Sequence, residues 1–468
     1  MTSNADKQHL GIVICGHVDA GKSTTTGHLI FELGGISERE MMKLRETADA
    51  AGKGSFAFAF YMDNCKEERE RGVTIQCRTK EFFTDKYHYS IIDAPGHKDF
   101  IRNMISGASQ ADVALLMVPA NKGGFETSIA KGNHKKNEVQ GQTRQHARLI
   151  HLLGIDQIIV GINKMDAPSV KYSEERYLEI KVEVEKMLQK IGFKTSKIPF
   201  IPMSGYLGEN LTKVSKEMPW YKGFKVQIKK KEITGHHLID ALNNVCKPPK
   251  RLLDKPFRMP VSGILKIKGV GDVVTGRIEQ GQIQKGVEIK FAPNNISGCK
   301  AFSIEMHHRT HEKAIHGDNV GINVKGLKPG FFPKSGDIMY LASDPNPPGA
   351  VENFTVTAYC QDHPGQLKCT DSEGKGGWCP SVHVRTSKAP CQMTKILWKI
   401  GKSTGGTKIE NPKYIETGDQ CEAVFTPRMP LCLDSYKNCK GLGRVAMMDS
   451  NSLVMLGMVT EVKYKQNQ

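Results

Sequence analysis

The stretch Gly16-His17-Val18-Asp19-Ala20-Gly21-Lys22-Ser23 decides how this sequence is interpreted. It follows the apolar run 10–15, which is predicted to be a buried strand, and leads into residues 24–33, predicted to be a helix. Strand, glycine-rich turn and helix N-terminus form the context of a phosphate-binding loop. The glycines let the backbone wrap a phosphate, and the helix dipole adds positive potential. Lys22 is expected on the β- and γ-phosphates and Ser23 on Mg²⁺, although the bare pattern also arises by chance.

Length and composition place the chain among ordinary multidomain proteins. Its 468 residues allow about two to four domains. The polar N-terminus lacks the apolar region of a secretory signal, and the apolar run 111–120 is too short to cross a bilayer. The twelve cysteines include no Cys-x-x-Cys pair, which favours scattered buried thiols over a disulfide or zinc framework. We therefore expect a cytoplasmic protein without a membrane segment.

The formal net charge of +17 is more informative than the rest of the composition. It favours a polyanionic partner, and nucleic acid ranks before a membrane surface because no basic amphipathic helix is evident. Simple solubility is the alternative. Lys229-Lys230-Lys231 is predicted to be a solvated loop. The polar segment 132–142 is predicted to be a surface loop, with contact to RNA or a partner as a second interpretation.

The pattern of apolar runs predicts an α/β domain followed by two all-β barrel domains. Strands are expected at 10–15, 89–93, 113–118, 158–162 and 198–203. A helix is expected at 171–191, with Ser173 as a plausible N-cap and Gly192 at its end. Short β-rich segments follow the Pro248-Pro249 pair and again follow a proline-rich joint at 344–348. The predicted domains are residues 1–246, 256–343 and 350–468.

Two segments at strand ends predict the ligand. Asp93 can hold a water of the Mg²⁺ shell, and Gly96 can offer its N–H to a γ-phosphate. Asp166 can accept from both N1–H and the 2-amino group of guanine, whereas adenine would leave it facing a lone pair. Asn163 would brace this loop and Lys164 would lie along the purine.

Ser204 and Gly205 end the next strand and can bring a backbone N–H to guanine O6. Four coincidental turns are the alternative, but all of these loops follow strands in order, where α/β sheets bind ligands. The sequence therefore predicts a site for GTP or GDP with Mg²⁺. The predicted nucleotide-binding residues are Gly16, His17, Val18, Asp19, Ala20, Gly21, Lys22, Ser23, Thr24, Asp93, Gly96, Asn163, Lys164, Asp166, Ser204, Gly205 and Tyr206.

The segment from Arg69 to Ile75 is predicted to be a switch. The Thr74 hydroxyl can complete the Mg²⁺ shell only when the γ-phosphate is present, so Ser23, Thr74 and Asp93 are the expected metal ligands. An ordinary charged loop is the alternative. His97 follows Gly96 at a place where GTPases often use a Gln to orient the attacking water, and it is the expected catalytic residue. A surface histidine is the alternative.

These motifs carry a resemblance to a known family. They are residues 16–23, Arg71-Gly72-Val73-Thr74-Ile75, Asp93-Ala94-Pro95-Gly96-His97 and Asn163-Lys164-Met165-Asp166, extended by residues 52–56, 67–71 and 142–146. In these motifs the chain resembles translational GTPases of the eukaryotic elongation factor 1-alpha family, and most closely the divergent subgroup called elongation-factor-like protein. The resemblance runs from about residue 10 to about residue 462.

The resemblance implies further site residues. Glu305 and Asn319 would line a pocket for the aminoacylated 3′ end of tRNA, and Val18 with Val73 would form an apolar gate around His97. The segment 363–366 resembles the start of the third domain, which in the family meets the tRNA arm. Two departures from ordinary elongation factor 1-alpha resemble the subgroup: a longer loop at 131–140, and Met448 where an arginine is usual.

The function implied is delivery of aminoacyl-tRNA to the ribosomal A site, timed by GTP hydrolysis. The partners implied are aminoacyl-tRNA, the ribosome and a guanine-nucleotide exchange factor, and a monomer is expected. A termination or rescue GTPase that carries a tRNA-shaped protein is the main alternative. The GTPase subunit of a sulfate-activating enzyme and a non-enzymatic basic scaffold on actin or RNA are the others.

Overall fold

The computed structural model describes residues 7–62, 68, 74, 78–97, 100–108, 110–130, 132, 140–306, 309–361, 363–371, 373–401, 404–450 and 452–465. The chain divides into two compact units, Met1–Pro248 and Pro249–Gln468. None of the helices in these ranges is both long enough and apolar enough to span a bilayer.

The first unit is built on a mixed sheet flanked by helices. Its strands are Gln8–Gly16 (β1), Arg78–Phe83 (β2), Tyr87–Asp93 (β3), Val113–Pro119 (β4), Gln157–Asn163 (β5) and Phe200–Pro202 (β6), with a separate hairpin of Phe224–Ile228 (β7) and Lys231–Gly235 (β8). The sheet order is β2-β3-β1-β4-β5-β6, and all pairings are parallel except β2 with β3. The apolar runs of β1, β4 and β5 are buried, as expected for strands covered on both faces.

The helices of the first unit connect these strands. They are Lys22–Glu32 (α1), Glu38–Ala50 (α2), Ala59–Met62 (α3), Ile101–Ala108 (α4), Gly124–Ile129 (α5), Gln142–Leu153 (α6), Glu174–Ile191 (α7) and Leu238–Asp240 (α8), with 3-10 turns at Gly54–Phe56 and Thr195–Lys197 and a π-helical turn at Ala241–Val245. One apolar cluster joins α1, the sheet and the end of the unit, from Leu10 to Cys246.

The start of α7 differs from the prediction of a helix at 171–191. Lys171 and Tyr172 have φ angles of 50° and 55°, so neither can begin a right-handed helix. The Ser173 hydroxyl caps the helix by accepting from the Arg176 N–H at 3.2 Å, and Gly192 ends it at a φ of 115°. The cap and the end are therefore confirmed, and the helix begins three residues later than expected.

The second unit contains two closed β-barrels. The strands of the first are Met259–Ile267 (β9), Gly271–Arg277 (β10), Gln282–Gln284 (β11), Glu288–Ala292 (β12), Ile296–Met306 (β13), Arg309–His311 (β14), Lys313–Ile315 (β15), Asn319–Lys325 (β16) and Ile338–Leu341 (β17). The sheet order is β12-β17-β9-β10-β16-β13-β14, and the pairing of β12 with β13 closes six of these strands into a ring. Strands β11 and β15 form a separate pair.

The second barrel repeats this plan. Its strands are Val351–Cys360 (β18), Leu367–Lys368 (β19), Ser381–Val384 (β20), Ser387–Ile400 (β21), Ile409–Glu410 (β22), Tyr414–Ile415 (β23), Gln420–Pro427 (β24), Arg444–Asp449 (β25) and Ser452–Tyr464 (β26). The order β20-β25-β26-β18-β24-β21-β22 is closed by the pairing of β20 with β21. The predicted fold class, an α/β domain followed by two all-β barrels, is confirmed; the predicted boundaries between three domains stay predictions.

Candidate functional site

The phosphate-binding stretch forms the turn between β1 and α1. Gly16, Asp19 and Gly21 all have positive φ angles, of 147°, 59° and 83°. A Cβ at position 16 would lie 2.3 Å from the Met117 carbonyl oxygen, so the loop passes close against β4. Gly21 is the N-cap of α1 and provides no capping side chain, which leaves the helix N-terminus open to an anion.

Lys22 and Gly96 lie against each other beside this loop. Lys22 is 7% exposed, and its Nζ donates to the His17 carbonyl at 2.9 Å. A Cβ at position 96 would lie 2.5 Å from Lys22 Nζ and 3.0 Å from the Val18 nitrogen. A side chain there would displace the Lys22 ammonium, and the Gly96 backbone lies close against the phosphate loop.

Three oxygen-bearing side chains meet at the start of α1. The Ser23 hydroxyl donates to Asp93 Oδ2 at 2.5 Å and lies 3.1 Å from Thr74 Oγ1. Burial raises the pKa of Asp93 to about 6, although the Ser23 hydrogen bond and nearby Lys22 lower it. Asp93 Oδ1 is buried and has no hydrogen-bond partner among the described residues. Two hydroxyls and a carboxylate with a free buried oxygen are ligands that fit Mg²⁺.

A pocket opens over these groups. Its lining residues are Val18, Asp19, Gly21, Lys22, Ser23, Thr24, Phe56, Ala59, Thr74, Gly96 and His97. The structure thus brings His97 to the same pocket as the phosphate loop, where its ring lies 5.9 Å from that of Phe100. Phe56 and Ala59 were not predicted to line the site, although residues 52–56 belong to the motif that the resemblance uses. Val73, most of the predicted switch and most of the 131–140 loop lie outside the described residues.

Asn163 joins the phosphate loop to the Ser204-Gly205 turn after β6, which is here called the base loop. Its Nδ2 donates to the Ala20 carbonyl at 2.8 Å, and its Oδ1 accepts from the Gly205 N–H at 2.8 Å. Both contacts are buried, so the Asn163 amide is committed to the protein backbone on both sides. The phosphate loop and the Ser204-Gly205 turn are therefore joined through the end of β5.

The other predicted base-contacting residues gather at the same edge of the sheet. Asp166 Oδ1 is buried and has no hydrogen-bond partner in the part of the chain that the structure describes. Lys164 has a φ of 64°, which turns the chain at the end of β5. Ser204 is buried and accepts from the Leu207 N–H at 3.1 Å, whereas Tyr206 is 49% exposed. A buried, unpaired carboxylate oxygen beside an open loop is suited to bind N–H donors of a base.

Two side chains of α6 support the phosphate loop from behind, which the sequence did not predict. His146 Nδ1 accepts from the Gly16 N–H at 3.1 Å, and Gln142 Oε1 accepts from the Val18 N–H at 3.1 Å. Burial, together with the charges of Lys22 and His17, lowers the pKa of His146 to about 3. Burial and Lys22 also lower the pKa of His17. The sequence feature that contains both residues is the segment 142–146, one of those that carry the resemblance.

Glu305 and Asn319 lie on neighbouring strands of the first barrel. Glu305 on β13 is paired with Gly321 on β16, and Asn319 begins β16. Glu305 is exposed, while Asn319 Oδ1 is buried and unpaired among the described residues. In the second barrel Met448 is fully buried in β25, so it presents no side chain to a partner.

Comparisons with known proteins found matches along most of the chain. The chain matches the family models described as Elongation factor Tu GTP binding domain at residues 7–248, Elongation factor Tu domain 2 at residues 271–340, and GTP-eEF1A C-terminal domain-like at residues 369–460. Elongation factor 1-alpha of Tetrahymena pyriformis is 42% identical over 464 residues, 99% of each chain. Elongation factor 1-alpha of Entamoeba histolytica is 44% identical over 459 residues, which is 98% of this chain and 96% of the relative.

A solved structure has a similar fold. The GTPase-like domain of Saccharomyces cerevisiae Ski7, bound to GDP and inorganic phosphate, is similar with a TM-score of 0.74. It is 19% identical and covers 97% of each chain, which shows likeness of fold alone.

Proposed function

The chain belongs to the elongation factor 1-alpha family of translational GTPases, which bind and hydrolyse GTP, and we propose that it delivers aminoacyl-tRNA to the ribosomal A site. The observation that carries this proposal is the full-length similarity to elongation factors 1-alpha, which extends through the GTPase unit and both barrels. In this proposal the protein acts in the cytoplasm as a monomer and is served by a guanine-nucleotide exchange factor. The net charge of +17 supports a polyanionic partner such as tRNA.

The nucleotide lies along one edge of the sheet, with its phosphates at the phosphate loop and its base at Asp166 and the Ser204-Gly205 turn. The N–H groups around Gly21 and the Lys22 ammonium bind the phosphates, while Asp166 accepts from the guanine edge and so rejects adenine. Asn163 keeps these two regions at a fixed distance, since it bonds both loops. Ser23, Thr74 and Asp93 would hold Mg²⁺, which when bound neutralises charge on the β- and γ-phosphates.

Hydrolysis depends on His97 and Thr74. We assign His97 the task of orienting the attacking water, because it lines the same pocket as Gly96 and Lys22. Val18, also in that lining, would help to keep solvent from the ring until the ribosome docks. Thr74 Oγ1 lies beside the Ser23 hydroxyl, where it can complete the Mg²⁺ shell while the γ-phosphate is present, and loss of that phosphate would release Thr74. Lower affinity for tRNA after hydrolysis must come from contacts that differ between the two states.

On the first barrel, Glu305 and Asn319 are assigned to the aminoacylated 3′ end of tRNA. The buried, unpaired Oδ1 of Asn319 can accept a hydroxyl or amino proton from that end. The exposed Glu305 lies one strand away, where its carboxylate can accept from the terminal adenosine.

Binding of tRNA tests the proposal directly. We expect aminoacylated tRNA to bind the protein tightly with a non-hydrolysable GTP analogue and weakly with GDP, and uncharged tRNA to bind weakly with both. Filter binding at fixed salt measures all four affinities. Equal affinities for the two tRNAs in both states would exclude delivery, and capture of a release-factor-like protein in their place would favour a termination or rescue role.

Hydrolysis on the ribosome tests the role of His97. We expect programmed ribosomes with aminoacyl-tRNA to accelerate hydrolysis, and His97→Ala to remove most of that acceleration while GTP affinity stays near wild type. His236→Ala, which removes an exposed histidine of the same unit, is the matched control. Ribosomes that fail to stimulate the wild type would contradict a role in translation. Full function of Lys22→Ala would instead indicate a scaffold that does not need GTP.

A further inference from the structure

His28 of α1 contacts two segments that both belong to the nucleotide site. Its Nδ1 lies 2.9 Å from the carbonyl oxygen of Gly205, in the loop that follows β6. Its ring is stacked on that of Phe58, with centroids 4.1 Å apart and planes 8° from parallel. Phe58 lies between Phe56 and Ala59, which line the phosphate pocket. One side chain therefore links the base loop to a wall of the phosphate pocket.

The first contact requires a proton on one particular ring nitrogen of His28. A carbonyl oxygen can only accept, so the proton must be on His28 Nδ1. The N–H of the same residue, Gly205, donates to Asn163 Oδ1 at 2.8 Å. Both polar backbone groups of Gly205 are thus held by side chains, one from α1 and one from the end of β5.

Close packing leaves no room for a side chain at Gly205. A Cβ at position 205 would lie 2.0 Å from Thr25 Oγ1. Thr25 and His28 are three residues apart on α1 and so share one face of the helix. A Cβ at position 208 would also lie 2.9 Å from the His28 ring. The turn after β6 is therefore packed directly onto the helix that the phosphate loop begins.

The second contact is equally constrained. A Cβ at position 27 would lie 2.1 Å from the Phe58 carbonyl oxygen, so the Phe58 backbone passes directly over α1 beside His28. Phe58 itself is 8% exposed and belongs to the core of the unit. The stack with Phe58 holds the His28 ring in the orientation that its hydrogen bond to Gly205 requires.

We propose that His28 is a positioning residue that slows nucleotide release by holding the base loop at Gly205 to α1 and to the Phe58 segment. The proposal rests on the placement of guanine at Asp166 and the Ser204-Gly205 turn. It does not depend on tRNA delivery, because release is a property of the free protein.

The experiment measures release of a fluorescent GDP derivative from the full-length protein after addition of excess GDP. His28→Phe keeps a ring that can stack on Phe58 and loses the donor, so we expect release to be about tenfold faster, the effect of one partly buried hydrogen bond. His28→Asn places an amide nitrogen where Nδ1 lies and should restore much of the slow release. His236→Ala is the matched control and should behave as wild type.

Base selectivity separates this role from that of Asp166. Guanine differs from hypoxanthine only in its 2-amino group, which is assigned to Asp166, so His28→Phe should accelerate release of GDP and IDP by the same factor. Asp166→Ala should accelerate release of GDP more than that of IDP, because only guanine has the 2-amino group. Selective loss of GDP in His28→Phe would overturn the proposal, as would release at the wild-type rate.

Two further outcomes are distinguishable. If Asp166→Ala binds GDP like the wild type, the placement of guanine is wrong and the proposal fails with it. If Asp166→Ala fails as expected while both His28 variants match the wild type, only the role of His28 is overturned. If His28→Asn releases GDP as fast as His28→Phe does, a donor at this position does not restore slow release, and the proposal is also overturned.

Discussion

His146 shows how the phosphate loop depends on the protonation state of one side chain. Its Nδ1 accepts from the Gly16 N–H, which a protonated imidazole could not do. Its burial and the nearby charges of Lys22 and His17 lower its pKa to about 3. The loop backbone is thus held by a histidine that stays neutral, with its proton on Nε2. His28 requires the opposite tautomer.

The shifted pKa of His146 predicts a pH dependence of stability. The pKa is lowered from 6.5 to about 3 on folding, so the unfolded state binds the proton first as the pH falls. This contribution to stability is present above pH 6.5 and declines by about 1.4 kcal/mol per unit below it. We expect the wild type to lose stability faster than His146→Gln between pH 7 and 5, as measured by denaturant unfolding. Parallel pH profiles, or a ring that titrates near 6.5 by NMR, would contradict this.

Gly205 carries a steric prediction. A Cβ there would overlap Thr25 Oγ1, so Gly205→Ala must displace the base loop. We expect Gly205→Ala to weaken GTP binding by about ten- to a hundredfold, corresponding to the 1–3 kcal/mol typical of overpacking. Equilibrium titration with a fluorescent GTP derivative measures it. Gly263→Ala, where a Cβ meets Thr275 Oγ1 at 3.6 Å, is the control, and Thr25→Ala in the same chain should restore part of the affinity.

Site residues within short motifs could be predicted from the sequence, whereas contacts between residues far apart in the chain could not. Local motifs contain Lys22, Ser23, Asp93 and Asp166, and the residue types in these motifs indicate which ligand groups they can bind. His146 and Gln142 are 130 and 124 residues from the N–H groups that they bind, and His28 is 177 residues from Gly205. These contacts form only when the sheet brings distant segments together, so a local sequence pattern cannot predict them.

At the scale of elements, the end of β5 organises the site. Asn163 Nδ2 and Oδ1 bond loops that follow β1 and β6, on either side of it in the chain. We predict that Asn163→Asp weakens binding of GTP by about thirtyfold or more, because an oxygen would replace Nδ2 opposite the Ala20 carbonyl. Asn295→Asp makes the same change of charge on an exposed turn of the other unit. Equal GTP affinity in the two variants, measured by equilibrium titration, would show that Asn163 does not join the loops.

Elements with continuous apolar runs were predictable, and the antiparallel edge strand β2 was not. β4 is buried throughout, β1 and β5 are buried beyond their first residues, and all three follow the predicted runs closely. β2 is an antiparallel edge strand that begins Arg-Thr-Lys-Glu, which carries no apolar signal. The start of α7 was predicted too early because periodicity does not report the left-handed φ angles at Lys171 and Tyr172.

At the scale of the molecule, the two barrels are joined into one body. Ala292, Ile338 and Tyr340 of the first barrel belong to the apolar cluster of the second. Arg385 pairs with the buried Glu279 at 2.8 Å, and the Thr386 hydroxyl donates to the Val261 carbonyl at 2.9 Å. The three regions and the anionic partner inferred from segment composition and charge stay predictions. This shared core could not be predicted, because its members come from distant parts of the sequence.

This organisation predicts how the full-length protein unfolds. We expect calorimetry to resolve two transitions, one for each compact unit, with both barrels melting together. GDP with Mg²⁺ at a hundred times its dissociation constant should stabilise the GTPase unit by about 2.7 kcal/mol and leave the other transition in place. Glu279→Ala removes the carboxylate that pairs with Arg385 and should reduce the free energy of unfolding of the barrel unit by up to about 3 kcal/mol. Its transition should move to lower temperature and stay single. A split barrel transition in the wild type would show that the shared cluster does not couple the barrels, and an equal shift of both transitions by GDP would show that the two units unfold as one.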